Sequence, residues 1–320
     1  MSRRLLSLLV ILAAAVATAQ DRPQQAPTPR PTPTPRALTF EVEVEIVNLT
    51  VSVTDARNRY VTDLEEKDFA VYEDGIRQEL SVFTHENLPI SLVLLIDTSA
   101  SMDQKLQVAQ AAAIRFIATL RSQDAAEVVQ FNDRIKTLQG FTADHELLEA
   151  AVHNLHASGP TALHNALYIS LKELSREKRA GELRRRAIIL LSDGEDTASL
   201  VTDEQVIELA RQSEINIYSI SLRPDRVRDN DRLAFSQAAH LLTTLSRESG
   251  GQVFFPASLS ELDSVYDRIA EELRTQYNLG YVSSNKRRDG KWRRIVVRVP
   301  DRDDVQIRHK IGYYAPSAPS

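Results

Sequence analysis

Apolar positions in the middle of the chain follow two alternating patterns. Short, almost continuous apolar runs, such as residues 90–95, are separated by longer segments with apolar residues at helical spacing. Such runs are typical of parallel strands covered on both faces, and their alternation with helices indicates an α/β fold. The predicted strands are 90–96, 127–131, 135–141, 187–192, 215–221 and 252–255. The predicted helices are 103–120, 145–156, 162–178, 203–213, 231–249 and 259–275.

One pair of strands departs from the parallel pattern. Segments 127–131 and 135–141 are joined by only a few residues, which is too short for a parallel crossover. We therefore predict an antiparallel strand at one edge of a mainly parallel central sheet with helices on both faces. This Rossmann-like domain is expected to span residues 88–276.

Period-two alternation predicts β-structure on both sides of the central domain. Residues 38–87 are expected to form a small β unit, in which Phe69–Tyr72 and Leu80–Phe83 flank the turn Asp74-Gly75 as a hairpin. The pattern over residues 277–316 predicts three more strands, at 277–282, 291–299 and 305–314. Two arrangements remain open. Either the two flanking segments pair into one β-domain, or 277–316 is a separate extension.

The N-terminus has the composition of a secretory signal over residues 1–19. Arg3-Arg4 precedes the apolar stretch Leu5–Val16 and the sequence Ala17-Thr18-Ala19. We therefore expect cleavage after Ala19 and a secreted or periplasmic protein, with retention as a membrane anchor as the alternative. Six prolines between residues 20 and 37 predict an extended linker.

Composition narrows the choice of partners. The formal net charge is −5 and no sustained basic stripe is present, which argues against nucleic-acid binding. Without cysteine the chain cannot form a disulfide or carry a lipid on an N-terminal cysteine. No other apolar run is long enough to cross a bilayer, so no membrane span is expected after signal cleavage.

Oxygen-bearing side chains follow the predicted strands. Asp97, Ser99 and Ser101 come directly after strand 90–96, Thr161 precedes a helix, and Asp193 follows strand 187–192. Open α/β sheets place ligand sites at the carboxyl ends of their strands, and hydroxyl and carboxylate oxygens are the ligands that Mg²⁺ prefers. Simpler alternatives exist for each position, because serine and threonine are also favoured helix N-caps and Asp-Gly is a common turn.

Together these three elements, in this order, resemble the metal-ion-dependent adhesion site of the von Willebrand factor type A (VWA) family, and the whole arrangement resembles bacterial secreted VWA-related proteins. The resemblance implies that Ser99 and Ser101 bind Mg²⁺ directly and Thr161 directly or through water. It places Asp97 and Asp193 beside the metal, often through water. Mn²⁺ or Ca²⁺ are alternatives, since all three are hard cations.

In the family, the open position of the metal commonly takes an acidic side chain of a partner protein. We therefore expect a metal-dependent, adhesion-type protein-binding protein that is not an enzyme. The alternative is a structural or assembly scaffold whose β segments make the contacts and whose metal only stabilises the loops. A hydrolase would need a base, and the spare acids near Asp193 are Glu195 and Asp196, which we expect to stay solvated.

Overall fold

The computed structural model describes residues 46–86, 88–177, 184–193, 195–222 and 232–317, except for the side chains of 232–236. The predicted signal segment 1–19, the linker 20–37 and the first residues of the β unit lie outside the described residues. The strands are β1 Ile46–Asp55, β2 Ala70–Glu73, β3 Ile76–Gln78, β4 Leu80–Thr84, β5 Ile90–Asp97, β6 Ala125–Phe131, β7 Ile135–Thr142, β8 Arg185–Ser192, β9 Ile215–Ser221, β10 Val253–Phe254, β11 Tyr277–Val282, β12 Trp292–Arg298, β13 Val305–Arg308 and β14 Gly312–Tyr314. The helices are α1 Asp103–Thr119, α2 His145–His153, α3 Leu163–Arg176, α4 Asp203–Gln212, α5 Arg232–Ser249 and α6 Leu262–Thr275.

The central sheet has the order β10-β9-β8-β5-β6-β7 in the described part of the chain. Its strands are parallel except β7, which pairs antiparallel with β6. All eight residues of β5 are buried, because this strand lies between β8 and β6 and is covered on both faces. The predicted mainly parallel sheet with one antiparallel edge strand is confirmed.

Helices cover both faces of this sheet. Buried residues of α1, α2 and α6 pack with Leu92 and Leu94 on one face. Buried residues of α3 and α4, and the described part of α5, pack with Val93 and Leu95 on the other. Alternate residues of β5 therefore enter two separate cores, as a period-two strand requires. The α/β fold expected from the sequence is the observed one.

Strands from both sides of the central domain build a β-module. One sheet has the order β13-β1-β11-β4 and the other β14-β12-β2-β3. Each sheet thus combines strands that precede the central domain with strands that follow it. Residues from both sheets, including Val51, Val71, Tyr277 and Ile295, share one apolar core.

Two expectations about strands in this module were wrong. The hairpin at Asp74-Gly75 joins β2 to β3 rather than to residues 80–83. Both turn residues have positive φ, so the two-residue turn pairs Glu73 directly with Ile76. Leu80–Thr84 then pairs with β11 in the other sheet.

The second error concerns the predicted strand 305–314, which divides into β13 and β14. The two parts add to different sheets, with β13 beside β1 and β14 beside β12. A continuous strand cannot follow both sheets, so the chain leaves extended pairing at 309–311. Alternation alone could not reveal this break, because both parts carry the same period-two pattern.

A buried carboxylate connects the module to the central domain. Glu272 of α6 is fully buried. It accepts hydrogen bonds from Ser52 Oγ at 2.9 Å, Tyr218 OH at 2.9 Å and Tyr60 OH at 3.0 Å, and it pairs with Arg308. The donors come from β9 and from the module, so this one side chain links α6 to both.

No helix among the described residues combines the length and the apolar character that a bilayer crossing requires.

Candidate metal centre

The C-terminal end of β5 places Asp97 at one edge of the central sheet. Its carboxylate is fully buried; Oδ1 accepts the Ser99 N–H at 2.8 Å and Oδ2 accepts the Ser192 hydroxyl at 2.6 Å. Burial raises the pKa of Asp97 to about 6, although the hydrogen bonds from Ser192 and Ser99 favour the ionised form. A buried carboxylate that is costly to ionise is well suited to a site where a cation supplies the opposite charge.

Two hydroxyls lie side by side in the loop that follows. Ser99 Oγ and Ser101 Oγ are 3.0 Å apart. A short 3-10 turn over residues 100–102 precedes α1, and Ser99 starts this turn without a side-chain capping bond. The N-cap residue of α1, which precedes Asp103, is Met102 and not a serine. The alternative that these serines serve as helix caps therefore does not describe the structure.

The loop that carries Thr161 is joined to the same edge by backbone hydrogen bonds. The Ala100 N–H donates to Gly159 O at 2.9 Å, and the Ser158 N–H donates to Thr98 O at 2.7 Å. Gly159 has a φ of 74°, so this turn uses a conformation that glycine adopts without strain. Thr161 itself is 4% exposed.

Thr161 is also held from its other side. Its N–H donates to Thr197 Oγ1 at 3.0 Å, and its carbonyl accepts the N–H groups of Thr197 and Ala198. The N-cap residue of α3, which precedes Leu163, is Ala162 and makes no side-chain capping bond, so Thr161 does not act as a helix cap. Its backbone is therefore fixed between the loops that follow β5 and β8.

Asp193 follows β8, the strand directly beside β5. It is 8% exposed, and its Oδ1 is buried without a hydrogen-bond partner among the described residues. Its charge adds to the rise in the pKa of Asp97, which reflects the proximity of the two carboxylates. A buried acceptor without a partner is costly unless a ligand satisfies it, and a cation would do so.

Sequence reasoning missed two residues at this edge. Lys105 in the first turns of α1 is buried, and its Nζ lies 3.8 Å from Asp193 Oδ2. Ser192 is the hydroxyl that fixes Asp97. The available signals were a lysine on the apolar face of a predicted helix and a polar residue that ends an apolar strand.

Of the two spare acids, Glu195 is exposed as expected, whereas Asp196 is not simply solvated. Asp196 Oδ1 accepts the Ser199 hydroxyl at 2.6 Å and the His164 N–H at 3.2 Å. This carboxylate organises the loop that supports Thr161. None of these contacts holds Glu195 or Asp196 beside Asp193, where a catalytic base would be needed.

The donor set fits a hard divalent cation. Within the described ranges no three His, Cys, Asp or Glu side chains converge. The edge instead brings together two carboxylates, from Asp97 and Asp193, and the hydroxyls that follow β5. Few carboxylates and several neutral oxygens are typical of a Mg²⁺ site that keeps its positive charge.

Parts of this chain are similar in sequence to known proteins. Residues 92–195 match the family model described as von Willebrand factor type A domain. A UPF0353 protein of Nocardia farcinica is 26% identical over 213 residues, which covers 57% of this chain and 63% of that protein. An uncharacterised protein of Synechocystis is 33% identical over 112 residues, 34% of this chain and 26% of that protein.

Among solved structures, proximal thread matrix protein 1 from the mussel byssus, with a zinc-occupied MIDAS motif, has a TM-score of 0.48 and 16% sequence identity. The match covers 62% of this chain and 48% of that one. The chain spans less than two thirds of the length of the curated relatives it matches.

Proposed function

We propose, from the VWA domain that this chain contains, that the protein binds a partner protein through a divalent cation held at the edge of the central sheet. The observation that carries the proposal is the buried, unpartnered Oδ1 of Asp193 beside Asp97 and the paired hydroxyls of Ser99 and Ser101. A site of this composition has a deficit of positive charge that a cation corrects.

Five residues would hold the cation. Ser99, Ser101 and Thr161 would contribute hydroxyl oxygens, and Asp97 and Asp193 would contribute carboxylate charge beside it. When bound, the cation supplies a positive charge that attracts an anionic side chain from outside. Mg²⁺ is our first choice and Mn²⁺ or Ca²⁺ the alternatives, because each is a hard cation with oxygen ligands.

The residues around the cation hold it without neutralising it completely. The Asp97 carboxylate is oriented by Ser99 and Ser192, and the loop of Thr161 is fixed by backbone hydrogen bonds. A preorganised cation at the centre of a contact can dominate affinity for an acidic partner side chain. The proposed activity is therefore binding to an aspartate or glutamate of another protein, outside the cytoplasm if the signal segment 1–19 operates.

Selection from a displayed peptide library tests this proposal. The library is bound to the immobilised protein in Mg²⁺ and eluted with EDTA, in parallel with the double variant Ser99→Ala, Ser101→Ala. We expect enrichment of peptides that share an essential Asp or Glu and that the double variant does not retain. If the selected peptides lacked an acidic residue, or bound the variant and survived EDTA, the scaffold alternative with contacts through the β-module would be favoured.

A further inference from the structure

A second group of polar side chains lies at the end of β8 opposite to Asp193. The strand has eight residues, so its ends are about 23 Å apart at roughly 3.3 Å per residue. A cavity of about 80 Å³ lies there, between the sheet and the β-module. Residues from both sides line it, among them Asn48, Arg185, Glu214, Asn216, Asn278 and Lys310.

Three of the lining side chains carry buried N–H donors without a partner in the described part of the chain. These are Arg185 Nε, Asn216 Nδ2 and Asn278 Nδ2. Arg185 is 5% exposed and Asn216 is 7% exposed. Buried donors are almost always satisfied in native proteins, so three of them at one cavity indicate an acceptor that occupies it.

Positive charge also exceeds negative charge among the residues that line this cavity, which include Arg184, Arg185, Arg186 and Lys310 but one carboxylate, that of Glu214. Arg185 donates from Nη1 to the Leu273 carbonyl at 2.7 Å and from Nη2 to the Gln276 carbonyl at 2.6 Å. These carbonyls, and the Glu86 carbonyl that accepts from Nη2 at 3.2 Å, are neutral. Asp124 attracts the guanidinium but forms no ion pair with it among the described residues. Burial lowers the pKa of Arg185 to about 10 and also lowers the pKa of Lys310. A buried cation is costly unless an anion pairs with it.

Glu214 is not the anion that pairs with Arg185. Its Oε2 accepts from Arg186 Nη2 at 3.1 Å, and its side chain is 44% exposed. Its other oxygen faces Asn48 Nδ2 at 3.4 Å. This carboxylate also attracts Lys310, but it is already paired with Arg186 at the rim, so one negative charge serves both cations and forms no ion pair with Arg185 among the described residues.

We propose that the cavity is a binding site for a small inorganic oxyanion of the size of phosphate or sulfate. Arg185 and Asn216 from the sheet, with Asn278 and Lys310 from the β-module, would hold it. The cavity volume of about 80 Å³ is small, which suits an anion of this size better than a nucleotide or a sugar phosphate. The bound anion would stabilise the contact between the two parts of the protein. The inference does not depend on the proposed metal site.

Thermal unfolding and titration calorimetry with inorganic phosphate test the proposal. The melts compare phosphate, sulfate and chloride at equal ionic strength in the presence of EDTA, so that the proposed metal site plays no part. We expect phosphate and sulfate to raise the melting temperature saturably by roughly 2 to 4 °C, and calorimetry to give one site per chain. Equal melting temperatures in phosphate and chloride, with no heat of binding, would overturn the proposal in favour of a water-filled cavity.

Matched variants locate the effect. Lys310→Met should lose the phosphate response, whereas Lys172→Met on the exposed surface of α3 should keep it. Asn216→Asp places a carboxylate beside Arg185, so it should raise the melting temperature in chloride and abolish the response to phosphate. Arg185 is left unchanged because its bonds to Leu273 and Gln276 support the end of α6. An unchanged phosphate response in both Lys310→Met and Asn216→Asp would contradict the assignment.

Discussion

The Ser192 hydroxyl donates a hydrogen bond to Asp97 Oδ2 at 2.6 Å, and this bond joins the carboxyl ends of two neighbouring strands. The other carboxylate oxygen of Asp97 accepts the Ser99 N–H. With both oxygens bonded, the side chain is held in one orientation at the edge of the sheet. Ser192 thus acts on the candidate centre by positioning Asp97.

Ser192→Ala should weaken both the fold and the metal site. The substitution leaves a buried acceptor of Asp97 with one partner fewer, which costs about 1 to 2 kcal/mol of unfolding free energy in EDTA. Loss of an orienting hydrogen bond should also reduce Mg²⁺ affinity by about tenfold. Urea unfolding and metal titration measure the two effects.

Ser221→Ala is the matched control for that change. Ser221 occupies the position of β9 that pairs with Ser192, and its buried hydroxyl has no partner in the described residues. Its removal should leave stability unchanged or slightly higher and Mg²⁺ affinity unaffected. Equal losses in the two alanine variants would show that Ser192 contributes only as a buried serine.

Lys105→Met should increase metal affinity. The Lys105 Nζ lies 3.8 Å from Asp193 Oδ2, where its charge competes with an incoming cation for the same carboxylate. Removing this charge should tighten Mg²⁺ binding by about tenfold, given the strength of charge pairs at this distance. Calorimetric titration measures the Mg²⁺ affinity, with Lys172→Met as a control. A weaker site in Lys105→Met would mean that the lysine instead holds Asp193 in place.

The sequence predicts much of the fold and of the candidate site because both depend on local patterns. Apolar runs such as 90–96 locate the central strands, and the carboxyl ends of these strands place Asp97 and Asp193 at one edge. Lys105 escapes prediction because its role depends on how α1 packs against the loop after β8. The break at 309–311 could not be predicted for a similar reason, since the packing of the two sheets decides where the chain leaves one sheet and joins the other.

Glu272→Gln should destabilise the whole described structure. The carboxylate accepts bonds from Ser52, Tyr60 and Tyr218 and pairs with Arg308, so an amide there leaves the guanidinium without its counter-charge. We expect a loss of about 3 kcal/mol in the free energy of unfolding. Glu271→Gln, on the exposed face of the same helix, is the control. A loss within about 0.5 kcal/mol, the range of an ordinary surface change, would contradict the coupling of the module to α6 through this carboxylate.

The surroundings of His309 predict that the free energy of unfolding depends on pH. Its Nε2 accepts the Val297 N–H at 3.2 Å while Nδ1 faces the Lys310 carbonyl at 2.6 Å, which requires the neutral ring. Burial lowers the pKa of His309 below its usual value near 6.5, despite the hydrogen bond to the Lys310 carbonyl. The unfolded chain therefore binds the proton more tightly, and stability should fall as pH decreases through 6.5 toward the folded pKa.

Urea unfolding across this pH range, with and without His309→Gln, tests that dependence. The variant cannot take up the proton, so its stability should decline less between neutral and mildly acidic pH. His156→Gln, at an exposed position whose ring contacts the neighbouring Asn154 carbonyl, should keep the wild-type slope. Parallel slopes for wild type and His309→Gln would exclude this histidine as the source.

Thermal unfolding in EDTA and in Mg²⁺, on the wild type and on Ser99→Ala, Ser101→Ala, tests the central claim most directly. A cation that binds only the folded state raises the melting temperature by mass action. We predict a Mg²⁺-dependent rise in the wild type and its loss in the double variant, whose melting temperature in EDTA stays near that of the wild type. An unchanged melting temperature of the wild type in Mg²⁺, Mn²⁺ and Ca²⁺, or an equal rise in the double variant, would contradict a metal centre at this edge.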